Sequence, residues 1–141
     1  MMLKYICGIG ALLLLTLSGC GIASKLDDQR SIRDVYVYSR DEIVPDELRA
    51  SVGEEIRWHN ELPDPIYLAF LGVKPIKEVG CGKGFKTLFG EIKDIVTIRS
   101  GEYVSICFNQ IGAVRYNVWT NFSDPTRSMS PTAIIHLEDA A

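Results

Sequence analysis

The chain of 141 residues is long enough for one domain, and it carries 15 basic against 18 acidic side chains for a formal net charge of −3. A hydrophobic share of 47% is too high for a disordered chain. The slight acidity lacks the basic patch that a nucleic-acid binder shows, so no nucleic-acid partner is expected. With only two histidines and four cysteines, any metal site is severely limited.

At the amino terminus a short segment carrying Lys4 leads into an apolar run, Tyr5 to Leu17. That run is too short to span a bilayer and reads as the core of a signal peptide. It ends in Leu17-Ser18-Gly19-Cys20, which resembles the bacterial lipobox. The resemblance implies cleavage after residue 19 and a membrane partner held through acyl chains on Cys20, since two or three chains anchor stably. Gly21 stands where an aspartate would favour inner-membrane retention, so attachment to the outer membrane facing the periplasm is expected. Residues 1–19 are read as a cleaved lipoprotein signal peptide, 20–30 as a lipidated tether and 31–141 as the folded domain, whose body runs from about Ser31 to Glu138.

Within that domain, strand signals follow one another. Val35 and Val37 alternate with Tyr36 and Tyr38. Leu48, Ala50 and Val52 alternate with polar residues, as do Ile56 and Trp58 with Arg57 and His59. Ile66 to Leu71 is a continuous apolar run, as in a strand buried on both faces. Asp94–Arg99, Glu102–Phe108, Ala113–Thr120 and Thr132–Leu137 complete the series, separated by Gly, Pro and Asp turn signals. No amphipathic run of helical length follows the signal peptide. The pattern predicts an all-β sandwich or barrel.

The phrase Val52-Gly53-Glu54-Glu55-Ile56-Arg57-Trp58-His59-Asn60 resembles the cupredoxin strand that begins V-G-acid and ends at an asparagine. Ile43 to Leu48, the turn Ile98 to Glu102 and the hairpin from Cys107 through Gly112 to Tyr116 resemble further cupredoxin elements. The resemblance covers Val35 to Leu137 and implies a cupredoxin-like Greek-key β-sandwich of about seven to eight strands. Asn60 is expected to cap its strand with side-chain hydrogen bonds.

A type 1 copper site needs two imidazoles, a thiolate and usually a weak axial thioether. At the positions that the resemblance assigns to the first histidine and the cysteine stand Ile66 and Val118. The following loop holds Met129 but no histidine. The site is read as lost, and no cofactor is expected. Aligning Cys107 as the ligand instead fails, because no histidine follows before Val114. The alternative is a copper-binding electron-transfer or copper-handling protein with displaced ligands drawn from His59, His136 and Met129. Alternation places both histidines on the outer surface, with nothing to bring them together.

Cys81 and Cys107 are read as a disulfide, which an oxidising periplasm permits. Alternation along Glu102–Phe108 puts Val104, Ile106 and Phe108 toward the core and Cys107 outward. The segment Gly72–Lys93 is then expected to lie across the outer face of the sheet and to cover Tyr103. Its Lys74, Lys77, Lys83 and Lys86, around an apolar centre of Phe85 and Phe89, form a possible partner surface. Gly80 to Thr87 has the wrong spacing for a phosphate-binding loop. No nucleophile, triad or haem motif marks an enzyme. The sequence supports a membrane-anchored periplasmic binding or assembly module whose protein partner it does not name.

Overall fold

Alternating apolar residues fold into strands here because each strand has one face to bury. The computed structural model describes residues 31–72, 81–86 and 93–140. Its strands are β1 (Ile32–Ser39), β2 (Glu42–Val44), β3 (Glu47–Ser51), β4 (Glu55–Asn60), β5 (Ile66–Leu71), β6 (Gly82–Lys83), β7 (Ile95–Ile98), β8 (Tyr103–Cys107), β9 (Gly112–Trp119) and β10 (Ala133–Glu138). One four-residue helical turn, α1 (Pro125–Ser128), precedes β10. The signal peptide, the tether and Cys20 lie outside the described residues.

Two five-stranded sheets result. The first has the order β2-β1-β4-β8-β6 and the second β3-β10-β9-β5-β7. From β2 onward the chain crosses from one sheet to the other at every connection up to β9. Two pairings are parallel, β1 with β4 and β3 with β10, and the rest are antiparallel. The eight expected strands are joined by two short edge strands, β2 and β6. Neither has the length or alternation that makes a strand visible in a sequence; each exists because a neighbour's edge offers unpaired backbone groups.

The core lies between the sheets. Trp58 is its centre, with Phe70, Phe85 and Tyr116 meeting it edge-on at ring-centroid distances of 5.8, 5.8 and 5.6 Å. Val35, Val37, Ile56, Val104 and Ile106 come from the first sheet, and Ile66, Leu68, Val118 and Ile135 from the second. Such edge-to-face contacts favour the ring quadrupoles as well as burial.

Two expectations about the segment after β5 are corrected. Its described residues 81–86 do not lie across the outer face as a layer: β6 joins the edge of the first sheet, with Gly82 opposite Ile106 and Lys83 opposite Ser105, although the Lys83 side chain does cover Tyr103 as expected. Cys107 stays outside the core cluster that holds Val104, Ile106 and Phe108, as the alternation implies, and is buried where Cys81 bonds it, its N–H donating to the Cys81 carbonyl at 3.3 Å. Phe85 is not a surface residue. It is buried against Trp58 and Phe70, because the chain turns inward at Gly84 just after β6. Gly84 has φ of +89°, and a Cβ there would fall 2.6 Å from Val104 Cγ1. Only glycine permits that approach.

Asn60 fulfils its expected capping role and extends it. Its Oδ1 accepts from the Leu62 N–H at 2.9 Å, while Nδ2 donates to the Asp64 and Ile98 carbonyls, both at 2.9 Å. Ile98 belongs to the other sheet, so one buried amide ties the two layers together. Asn60→Ala leaves these backbone groups without partners and is expected to lower unfolding stability by about 3 kcal/mol. Denaturant unfolding measures it, and a loss below about 1 kcal/mol would contradict this role.

Burial pushes the Tyr116 phenol up to about 12 from its ordinary 10.0. The unfolded chain releases that proton first, so stability present below pH 10 drains away as pH rises toward 12. The expected loss is about 2–3 kcal/mol. Phenolate absorbance should show one tyrosine ionising late, and replacing Tyr116 by Phe should remove that late step.

Candidate functional site

The outer face of the first sheet is built by the residues that alternate with its core side chains. Along β1, Val35 and Val37 point inward, which turns Asp34, Tyr36 and Tyr38 outward. Along β4, Ile56 and Trp58 point inward, which turns Arg57 and His59 outward. Register then sets Tyr36 opposite His59, His59 opposite Tyr103, and Val44 opposite Tyr36. One row of side chains therefore crosses four strands.

The rings of that row stack. Tyr36 and His59 have centroids 4.7 Å apart with planes inclined by 19°. Tyr38 continues the stack at 6.1 Å from Tyr36, and Tyr103 closes it at 5.4 Å from His59. At the far end the Lys83 ammonium sits 3.8 Å from the Tyr103 ring centroid, with the Arg57 guanidinium at 5.2 Å. Both are cation–π contacts. His59 Nε2 lies 2.7 Å from Asp34 Oδ1, which orients the imidazole. Arg57 is gripped by both Glu55 oxygens at 3.1 and 2.9 Å, and these hydrogen bonds raise its pKa above the ordinary value. A fixed row of aromatic groups, flanked by held charges, can recognise a surface; it holds no nucleophile aligned with a base.

Sequence reasoning missed this row. It named His59 and Lys83 for other reasons, placed Tyr103 only as a residue to be covered by the segment after β5, and read Tyr36 and Tyr38 only as parts of a strand. The signal was present in the alternation, which already sent all three tyrosines outward. What the sequence lacked was register, which alone brings rings from β1, β4 and β8 side by side.

The other predicted positions are dispersed. Cys81 and Cys107 are bonded, with Cα atoms 5.1 Å apart. Lys74, Lys77 and Phe89 lie outside the described residues. Lys83 and Lys86 are exposed as expected, but with Phe85 in the core the proposed apolar centre loses one of its two rings. His59 and His136 cannot share an ion: they stand on the outer faces of different sheets, and His136 Nε2 lies 3.0 Å from Glu47 Oε1. Met129 forms a bridge with Trp119, the last residue of β9.

The copper-ligand positions do not fit the metal. Ile66 and Val118 are alkyl side chains, both fully buried in the core, and Met129 offers only a weak thioether. Among the described residues, no three His, Cys, Asp or Glu side chains are placed to hold an ion. The full chain mixed with copper(II) is expected to show no intense band near about 600 nm, because that absorption needs a thiolate on copper. A strong blue colour with one copper per chain would overturn this reading.

No protein-family model matches the chain, and no curated protein matches it. Several solved structures are similar in fold. A purple cupredoxin from Nitrosopumilus maritimus is 13% identical over 75% of this chain and 99% of its own, with a TM-score of 0.49. An oxidized amicyanin variant is 16% identical over 75% and 81%, with a TM-score of 0.49. A copper(I) amicyanin variant is 15% identical over 81% and 87%, with a TM-score of 0.44. Identities this low concern architecture alone, and the strand pairing described above carries the fold independently. The described residues form an all-β sandwich of two five-stranded sheets.

Proposed function

We propose that the chain is a membrane-anchored, metal-free binding module of the bacterial cell envelope, which presents the outer face of its first sheet to a protein partner. The observation that carries this reading is the stacked row Tyr38-Tyr36-His59-Tyr103, capped by Lys83 and left open on the sheet surface. Tyrosine supplies contact area at low entropic cost and suits an interface that is dry at its centre and wet at its rim. Ile66 and Val118 are buried alkyl side chains with no atom to coordinate a metal. The lipobox-like sequence at Cys20 supports the anchor, and a periplasmic location agrees with the Cys81–Cys107 bond.

One labelling experiment tests both parts. In intact envelopes Lys83 should react with an amine-specific reagent more slowly than in the dilute, detergent-purified chain, while Lys93 reacts alike in both. Cys20→Ala should move the protein from the membrane to the soluble fraction. Equal Lys83 reactivity in both states would remove the binding surface, and a membrane-bound Cys20→Ala protein would remove the anchor.

A further inference from the structure

The charges around the aromatic row are not scattered. On the β2–β1 side the carboxylates of Glu42 and Asp34 are left over once Arg33 and Arg40 are engaged by Glu54 and Asp41, and on the β6 side stands the ammonium of Lys83. Asp34 uses Oδ1 on His59, so its second oxygen can accept from a cation brought by another molecule. Lys83, an exposed residue, extends its ammonium over Tyr103. Between the two sides, Arg57 and Glu55 neutralise each other.

A surface that is acidic at one edge, basic at the other and aromatic between is complementary to itself. We infer that the outer face of the first sheet packs against the same face of a second copy of this chain, about a two-fold axis running along the strands near β4. This inference rests on reading that face as a binding surface. The axis lays β2 and β1 of one copy over β6 and β8 of the other, so each Asp34 faces β8 of the second copy, over which the partner subunit's Lys83 extends its ammonium. Because the interface is isologous, every such contact occurs twice. The tyrosine rows meet at the centre, where sheets pack face to face at about 10 Å. A two-fold axis running across the strands would instead set acidic edge on acidic edge and basic edge on basic edge, which like-charge repulsion disfavours. A foreign partner would need to reproduce both charged edges at the same spacing; a second copy does so by construction.

The test is site-specific photocrosslinking of the full chain in the envelope, with Tyr38→benzoylphenylalanine as the probe and Thr97→benzoylphenylalanine, on the outer face of the second sheet, as the control. The expected result is a crosslinked dimer of this chain from position 38 and none from position 97. Lys83→Glu and Asp34→Lys should each cut the dimer yield about tenfold, and the double variant should recover most of it. Recovery in the double variant also shows that neither change acts by unfolding. A crosslink from position 38 to a different protein would overturn the second-copy inference and leave the binding surface standing. No crosslink from position 38 would overturn both. Loss of the dimer in the double variant as well would overturn the charge pairing.

Discussion

The sandwich depends on the buried amide of Asn60. Its backbone N–H donates to the Glu102 carbonyl and its own carbonyl accepts from Gly101, while the side chain bonds Leu62, Asp64 and Ile98. Every polar group of a fully buried residue is thereby paired, which is the condition for burying it at all. The same five bonds end β4, shape the turn into β5 and hold β7 of the opposite sheet against the first. Trp58, two residues earlier, is aimed into the core because Asn60 sets where the strand stops.

The edge of the first sheet shows how one covalent bond reshapes a surface. β8 would otherwise present unpaired backbone groups along its outer side. The segment 81–86 supplies a two-residue strand, a disulfide and an aromatic plug within six residues. In the chain-entropy view, a bond closing a loop of about 26 residues contributes roughly 3–4 kcal/mol. That is enough to hold a strand of two residues, which has too few hydrogen bonds to hold itself. Phe85 then reaches Trp58 and Phe70, and Lys83 reaches Tyr103 on the opposite side of the same sheet.

Interior and surface have divided their roles accordingly. Where a metal-binding sandwich would carry donors, this one carries Ile66 and Val118, whose burial favours the fold and excludes coordination. The stacked Tyr36, His59 and Tyr103 lie outside, on strands whose inner faces carry Val35, Val37, Ile56, Trp58, Val104 and Ile106. A rigid sheet is a good support for such a row, since the backbone fixes each ring's position and stacking fixes its rotamer.

Much of this was legible in the amino-acid sequence. Period-2 alternation, with the continuous apolar run at Ile66 to Leu71, identified the eight longer strands, and alternation also identified the inward Val104, Ile106 and Phe108, because side-chain direction along a strand is a local property. The residues at the copper positions could be read from their side chains alone, and the only two cysteines of the folded domain pointed to one another. Three-dimensional packing decided the rest. Phe85 in a glycine-rich loop gives no periodic signal, so only the vacancy beside Trp58 assigns it to the core. β2 and β6 are strands because their neighbours have open edges. The separation of His59 from His136, and the meeting of His59 with Tyr36 and Tyr103, follow from sheet membership and register. Those are relations between distant segments, set by which strands exchange hydrogen bonds, and no local pattern encodes them.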